Sequence, residues 1–294
     1  MARHTSQSEI LIAVIGVTGA GKTTFISKAT GRNDLEIGYG VDSFTFSLDG
    51  KKVTLIDTPG FDDTYQSDAD ILQLVANYMA QTYEKGILLT GLILLQPINQ
   101  NRLQGSEMKR TRLFKKILGE NAYSRVVVAT TMWNQISDYT LGQDRETERK
   151  NRPDVWGDMV SRGAEVVRHD DNKGSAVNII KKLMNFSTPI ELQIQRELVD
   201  HGGRVSLTSA GKQLDEDLGE LIATLKQEIE SLKKERDATR DEITELQHKL
   251  YGYEREQFGL GSFMVQGLVE MAASMAGLGF AAVSRELEST CVIF

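Results

Sequence analysis

The sequence predicts an α/β fold, a mixed β-sheet covered by helices, followed by a C-terminal coiled-coil helix and an apolar tail. Apolar runs of the buried-strand type alternate with segments of helical periodicity; these runs lie at residues 10–15, 91–95 and 125–129. One pair of segments predicts an antiparallel hairpin instead, because Asp49-Gly50 separates an alternating stretch at 44–48 from an apolar run at 53–56. Beyond residue 212 the apolar period becomes seven residues, as in coiled coils.

The bulk composition excludes several classes of protein. A chain of 294 residues can hold one α/β domain of about 200 residues plus extensions. The formal net charge of −7, without a dominant basic stripe, argues against a nucleic-acid partner. A single cysteine excludes a disulfide within the chain and predicts a reducing compartment. The first nine residues lack the apolar core of a signal peptide, so we expect a cytoplasmic protein.

The first strand leads into a glycine-rich loop. Residues 16–23 read G-V-T-G-A-G-K-T, which fits the phosphate-binding P-loop pattern, and a helical pattern follows until Gly31. Glycines let backbone N–H groups surround phosphates, and the helix N-terminus adds partial positive charge. We expect Lys22 to reach the β- and γ-phosphates as the catalytic cation, and Thr23 to hold Mg²⁺. The alternative is a glycine turn beside a surface lysine. The predicted nucleoside triphosphate site comprises Gly16, Thr18, Gly19, Ala20, Gly21, Lys22, Thr23 and Thr24.

The hairpin and the loop before it predict a Ras-like arrangement. An antiparallel pair in an otherwise parallel P-loop sheet is typical of Ras-like GTPases rather than of most P-loop ATPases and kinases, by analogy of fold. The aperiodic loop at 31–42 is the natural first switch. Thr45, which follows it, is the candidate to meet Mg²⁺ and the γ-phosphate when that switch orders, as a metal ligand and catalytic residue. Thr45 also fits the alternating strand, which leaves a purely structural role open.

The third strand ends in a second phosphate-site motif. Residues 57–60 read D-T-P-G and resemble the D-x-x-G box of GTPases. Asp57 is expected to face Mg²⁺ through a water, and the Gly60 N–H to sense the γ-phosphate. Phe61 stands where Ras-like enzymes have the glutamine that orients the attacking water. We therefore expect slow hydrolysis, or a group borrowed from elsewhere; the nearby polar candidates are Asp62, Asp63 and Thr64.

The remaining elements follow from periodicity and caps. Helical patterns occupy 67–83, 106–118, 138–163, 175–185 and 190–199, and short strand patterns occupy 91–95, 125–129 and 164–168. Histidine and cysteine show no metal-ligand spacing, and no Ser-His-Asp pattern is visible.

The base-reading box departs from its usual form. Where N-K-x-D would follow the strand at 125–129, residues 130–134 read T-T-M-W-N, so the aspartate that reads guanine is missing. Thr131 could lie along the base, Trp133 could stack on it or wall the pocket, and Asn134 could offer its amide. Simple packing explains each of them as well. His169 lies where the last base-contacting loop belongs, and a structural role suits a lone histidine. Guanine and adenine both stay open.

Together, G-V-T-G-A-G-K-T, D-T-P-G-F-D-D-T and V-V-V-A-T-T-M-W resemble the AIG-type branch of septin-like P-loop GTPases. The likeness covers about residues 9–200 and is greatest to fungal G-domain-containing proteins whose fourth box reads T-T-M-W. The resemblance implies binding of GTP and GDP and nucleotide-dependent dimerisation in related members.

Two further regions follow this domain, so we predict a disordered N-terminus at 1–8, a G domain at 9–205, a coiled coil at 212–257 and an apolar tail at 258–294. The heptad positions are Leu218, Ile222, Leu225, Ile229, Leu232, Arg236, Thr239, Ile243, Leu246, Leu250 and Tyr253. Pairing with a second chain is the predicted use of this stripe. The alternative is a long helix that packs back on the nucleotide domain.

The tail predicts contact with a membrane. Residues 258–283 are rich in Gly, Ala, Met, Leu and Phe, but Glu270 near the middle disfavours a full span. A monotopic or hairpin contact with the membrane fits better, and burial against another helix is the alternative. The last four residues read C-V-I-F, a C-a-a-X pattern that predicts geranylgeranyl transfer to Cys291. One lipid anchors a protein only marginally, so the apolar segment is the expected second signal. We expect a cytoplasmic, membrane-associated protein.

These observations lead to one function and two rivals. The leading interpretation is a Mg²⁺-dependent GTP-binding protein and slow GTPase, converting GTP to GDP and phosphate, that acts as an assembly or signalling switch at a membrane. It self-associates through the G domain and coiled coil, with faster hydrolysis in the assembly. The rivals are a nucleotide-binding coiled-coil scaffold without significant turnover and an ATP-binding P-loop protein.

Overall fold

The computed structural model describes residues 9–35, 41–61, 67–99, 105–234 and 240–262. Its strands are β1 (Glu9–Gly16), β2 (Asp42–Leu48), β3 (Lys51–Asp57), β4 (Gly91–Pro97), β5 (Val126–Thr131) and β6 (Glu165–Arg168). Its α-helices are α1 (Lys22–Thr30), α2 (Asp68–Glu84), α3 (Gly105–Leu118), α4 (Tyr139–Asn151), α5 (Asp158–Ser161), α6 (Lys173–Met184), α7 (Gln193–Asp200), α8 (Ser209–Lys234) and α9 (Arg240–Ser262).

The strands form one mixed sheet in the order β2-β3-β1-β4-β5-β6. β2 and β3 run antiparallel, and all other neighbours run parallel. The hairpin turn has φ values of 49° at Asp49 and 75° at Gly50, as a type I′ turn requires at both central positions. The predicted mixed sheet with one antiparallel pair is confirmed. Because β1, β3, β4 and β5 point the same way, the loops after them meet at one edge.

The sheet is buried on both faces, which explains the unbroken apolar run of β1. Alternate residues of β1 belong to two separate core clusters: Ile12 and Val14 pack with helices α1 and α6, whereas Ala13 and Ile15 pack with α2, α3 and α7. The second cluster also contains apolar residues of α8 and α9, including Leu218 and Leu260. The C-terminal helices therefore share a core with the α/β domain.

The predicted helix ends have the expected capping geometry. Gly31 adopts φ 76° and donates its N–H to Ser27 O over 2.8 Å, which ends α1. Ser67 caps α2 and accepts from the N–H of Asp70 over 3.1 Å. Gly119 follows α3 with φ 75°. These boundaries agree with the sequence prediction.

The charged segment at 138–163 differs from the single predicted helix. α4 ends at Asn151, and Pro153 begins a separate turn before α5, because proline cannot donate the hydrogen bond that would continue the helix. Trp156 and Met159 are nonetheless completely buried, so the apolar residues of this segment pack in the core.

Residues of the heptad stripe pack within the chain, and pairing with a second chain stays a prediction. Helices α8 and α9 pack against each other in opposite directions, with Lys226 Nζ 2.7 Å from Glu254 Oε1. α8 also packs on α3, and α9 on α2, which buries Leu218 and Ile229. This packing agrees with the alternative interpretation, in which a helix folds back on the nucleotide domain. We call α8 and α9 the C-terminal hairpin.

Several predictions fall outside the described residues. They concern residues 1–8, the middle of the first switch at 36–40, Asp62, Asp63, Thr64, the polar heptad positions Arg236 and Thr239, and the tail from 263 onward with Glu270 and Cys291. Within the described ranges, no helix combines the length and apolar character needed to cross a membrane.

Candidate nucleotide-binding site

The P-loop connects β1 to α1 through two glycines in left-handed conformation. Gly19 has φ 78° and Gly21 has φ 92°, a region that L side chains rarely adopt. Gly16 is needed for another reason, since a Cβ there would lie 2.7 Å from Leu95 O on the neighbouring strand. The glycines of the motif therefore meet conformational and packing requirements, as the sequence predicted.

Lys22 lies within the loop. Its side chain is buried, and Nζ donates to Gly16 O over 3.1 Å and to Val17 O over 3.0 Å. Both acceptors belong to the loop itself, which keeps the ammonium at the N-terminal end of α1. The positive charge of Lys22 and the partial positive charge of the helix N-terminus therefore lie at the same place, which favours binding of an anion.

Thr23 and Asp57 form the predicted metal-side pair. Thr23 Oγ1 donates to Asp57 Oδ2 over 2.9 Å, while Asp57 Oδ1 is buried and has no hydrogen-bond partner among the described residues. Burial raises the pKa of Asp57, and the Thr23 hydrogen bond and the charge of Lys22 oppose that rise only in part. The negative charge of Asp42, which lies opposite Asp57 on β2, raises the pKa of Asp57 further.

This environment fits Mg²⁺. A buried carboxylate oxygen without a partner is costly, and a hard divalent cation satisfies it while favouring the charged form. Thr23 Oγ and Asp57 are the residues that would hold the ion. No cluster of three or more His, Cys, Asp or Glu suited to a metal occurs elsewhere in the part of the chain that the structure describes.

The D-T-P-G segment lies directly on the P-loop. Thr18 donates its N–H to Phe61 O over 3.0 Å, and its hydroxyl donates to Gly60 O over 3.2 Å. A Cβ on Gly60 would be 2.5 Å from Thr18 N and 2.7 Å from Lys22 Nζ, so only glycine fits there. The sequence motifs predicted Gly60 at the phosphate site. They did not predict its contacts with Thr18, the third residue of the P-loop motif.

The side chain of Phe61 points into the core. It is 6% exposed and belongs to the same apolar cluster as Ile71 and Leu72 of α2. It offers no polar atom to an attacking water. Its function in this structure is to anchor the segment that follows β3.

Thr45 lies away from the metal-side pair in this structure, and its role as metal ligand and catalytic residue when the first switch orders stays a prediction. Its Oγ1 is 2.6 Å from Thr54 Oγ1, and Thr54 in turn donates to Glu9. Thr45 pairs with Thr54, three residues before Asp57 on β3, which corresponds to about 10 Å along the strand. The alternating-strand interpretation is the one the structure favours.

The fourth-box residues mainly pack. Thr131 Oγ1 donates to Ala20 O over 3.1 Å and so ties β5 to the P-loop. Trp133 is buried, and its Nε1 donates to Thr130 O over 3.2 Å and to Thr130 Oγ1 over 3.0 Å. These contacts differ from the predicted base contacts of Thr131 and Trp133. Asn134 is the exposed polar residue of this box, whereas Thr130 and Thr131 are buried.

Arg168 covers the ring of Trp133, which the sequence did not reveal. Its guanidinium carbon is 4.6 Å from the centre of that ring and 4.8 Å from that of Tyr139. Only the pairing of β5 with β6 brings Arg168 to this place, and no local pattern signals it.

His169 is structural. It is buried, donates its backbone N–H to Thr130 O over 2.9 Å, and places Nδ1 2.8 Å from Ser175 Oγ. Its ring meets the Phe25 ring edge-on at 5.1 Å. Burial lowers the pKa of His169, so the neutral imidazole is favoured.

The sheet order, the P-loop and the Thr23–Asp57 pair define the class of protein: the chain has the α/β P-loop GTPase fold and carries a G domain. Residues 11–129 match the family of 50S ribosome-binding GTPases, less than half of the chain. The AIG-type, septin-like subfamily stays a prediction.

Two solved structures are similar. Toc33 from Arabidopsis thaliana, in complex with Mg²⁺ and GMPPNP, has a TM-score of 0.52 and 14% identity over 63% of this chain and 88% of that chain. The G domain of the FeoB iron transporter of T. maritima has a TM-score of 0.40 and 17% identity over 61% of this chain and 99% of that chain. The Toc33 likeness supports the fold.

Proposed function

We propose that this protein binds GTP with Mg²⁺ and hydrolyses it slowly to GDP and phosphate, acting as a switch. The observation that carries the proposal is the Thr23–Asp57 pair, in which Asp57 keeps one buried oxygen without a hydrogen-bond partner among the described residues. This pair lies beside the buried ammonium of Lys22. The arrangement suits a triphosphate and a divalent cation together.

Each residue has a distinct role in this proposal. The P-loop amides and Lys22 bind the phosphate oxygens, and Thr23 and Asp57 orient the cation. Mg²⁺, when bound, neutralises charge that develops on the phosphates. The backbone of Gly60 lies against Thr18 and Lys22, and so responds to the presence of the γ-phosphate.

Slow turnover follows from Phe61. In Ras-like enzymes a glutamine orients the attacking water, whereas this phenylalanine is buried in the core. An orienting group must then come from residues 62–64 or from a second copy. Self-association through the G domain, with faster hydrolysis in the assembly, is therefore part of the proposal.

Guanine is the proposed base because of the G-domain fold and family match. Asn134 supports a polar contact with the base, since it is exposed on the segment after β5. An amide both donates and accepts, so it can pair with the edge of either purine. ATP is accordingly the rival ligand.

Phosphate release at several protein concentrations tests turnover. We expect a slow rate per molecule that rises with concentration of the full chain and falls to background in Lys22→Ala. A rate at background for wild type at every concentration would favour the rival, a nucleotide-binding scaffold.

Membrane attachment stays a prediction from the tail sequence. The apolar segment at 258–283 and Cys291 support it. Equal partition of wild type and Cys291→Ser between membrane and soluble fractions would contradict it.

A further inference from the structure

The C-terminal hairpin contacts the start of α2, and Glu256 makes a hydrogen bond there. Glu256 of α9 accepts the backbone N–H of Ala69 over 3.0 Å, across 187 residues of sequence. The first N–H groups of a helix have no partner inside it, and a carboxylate is stabilising at that end. Ser67 Oγ accepts a hydrogen bond from the N–H of Asp70. The first turn of α2 is therefore capped both by the residue that precedes it and by Glu256 of α9.

This contact holds a carboxylate in an unfavourable electrostatic place. Burial and the charges of Asp68 and Asp70 raise the pKa of Glu256, and hydrogen bonds from Ala69 and Ser67 oppose that rise. The attachment is therefore specific but strained by two like charges.

The start of α2 is joined to the phosphate site. Phe61, whose carbonyl accepts the Thr18 N–H of the P-loop, lies six residues before Ser67 in the sequence. Its side chain belongs to the apolar cluster that contains Ala69 of α2 and Leu260 of α9. A continuous packed path thus leads from the P-loop to the hairpin.

Gly60 and Phe61 lie against the P-loop groups that a γ-phosphate would need. Gly60 lies so close to Lys22 that a single added carbon would be 2.7 Å from Nζ, and Thr18 N–H is already bonded to Phe61 O. GTP needs space and hydrogen-bond donors at that place, whereas GDP lacks the third phosphate. The two nucleotides therefore differ in how strongly they displace residues 60 and 61.

We propose that the C-terminal hairpin senses the nucleotide through α2, with Glu256 as the positioning residue that favours the docked segment and hence GDP. The proposal rests on the function proposed above. Because coupling between two sites is reciprocal, weakening the hairpin contact must change the relative affinity for the two nucleotides.

The experiment measures dissociation constants of GMPPNP and GDP, with Mg²⁺, for the full chain. The variants are Glu256→Ala, Glu256→Gln and the control Glu254→Ala; Glu254 bridges Lys226 within the hairpin only. We expect Glu256→Ala to lower the ratio of the GMPPNP constant to the GDP constant about fivefold or more. Glu256→Gln, which keeps an acceptor for Ala69 N–H, should lower it less, and Glu254→Ala should leave it unchanged.

Hydrogen exchange on wild type gives a second readout that needs no variant to fold. Exchange of amides at 67–71 and 252–260 should be faster with GMPPNP than with GDP. Equal exchange with both nucleotides, together with an affinity ratio within about twofold of wild type in Glu256→Ala, would overturn the coupling alone. Failure of wild type to bind either nucleotide would overturn the proposed function, and the coupling with it.

Discussion

At the scale of single residues, local motifs predicted side chains that lie close together at the P-loop. Lys22, Thr23 and Asp57 lie in short sequence patterns whose backbone geometry is fixed by glycines and strand ends, and the structure brings them together. The role of Thr45 stays a prediction, and its present position follows from the β2–β3 register, which places it opposite Thr54. Base-side contacts were not predictable, since they depend on packing between β5 and β6.

Asp57 and Thr45 give a matched pair of variants. We expect Asp57→Asn to weaken the Mg²⁺-dependent part of GTP binding about tenfold or more, because a carboxylate that orients the ion is lost. Thr45→Ala should leave that part unchanged, since Thr45 is bonded to Thr54 instead. Titration of GTP with and without Mg²⁺ measures both, and an equal loss in the two variants would contradict the assignment.

At the scale of elements, strands and helices with strong periodicity were predictable, and their tertiary partners were not. The hairpin of β2 and β3 follows from its Asp-Gly turn and alternation. The heptads of α8 and α9 predicted a helical region, which is confirmed, but periodicity alone does not say which helix packs against the apolar stripe. The chain supplies both partners.

A buried ion pair joins α3 to α4. Arg149 Nε is 2.8 Å from Glu107 Oε1 and its Nη2 is 3.0 Å from Oε2, with both side chains buried. Arg149→Met should lower the free energy of unfolding by about 3–5 kcal/mol, because it leaves Glu107 buried and unpaired.

Two controls sharpen that measurement by chemical denaturation. Adding Glu107→Gln to Arg149→Met should recover much of the loss, since the orphaned charge is removed. Arg152→Met, which breaks an exposed pair with Asp154, should lower the free energy of unfolding far less than Arg149→Met. Equal losses in the two arginine variants would contradict the assigned role of burial.

At the scale of the whole molecule, the G domain and the C-terminal hairpin share one apolar core. Phe61 beside the P-loop and Leu218 and Leu260 of the hairpin belong to the same cluster. The sequence predicted separate regions because composition changes sharply after residue 212. It could not reveal Glu256 against Ala69, since a contact across 187 residues leaves no local pattern.

The central claim is that the P-loop and Asp57 form a Mg²⁺-dependent site for a guanine nucleotide. Calorimetric titration of the full chain with GTP, GDP and ATP in the presence of Mg²⁺ tests it most directly. We predict binding of GTP and GDP, weaker binding of ATP, and a loss of about 10- to 100-fold in GTP affinity in Lys22→Ala, because charge-assisted hydrogen bonds to phosphate disappear. ATP binding as tight as GTP binding, or GTP binding unaffected by Lys22→Ala, would contradict the account.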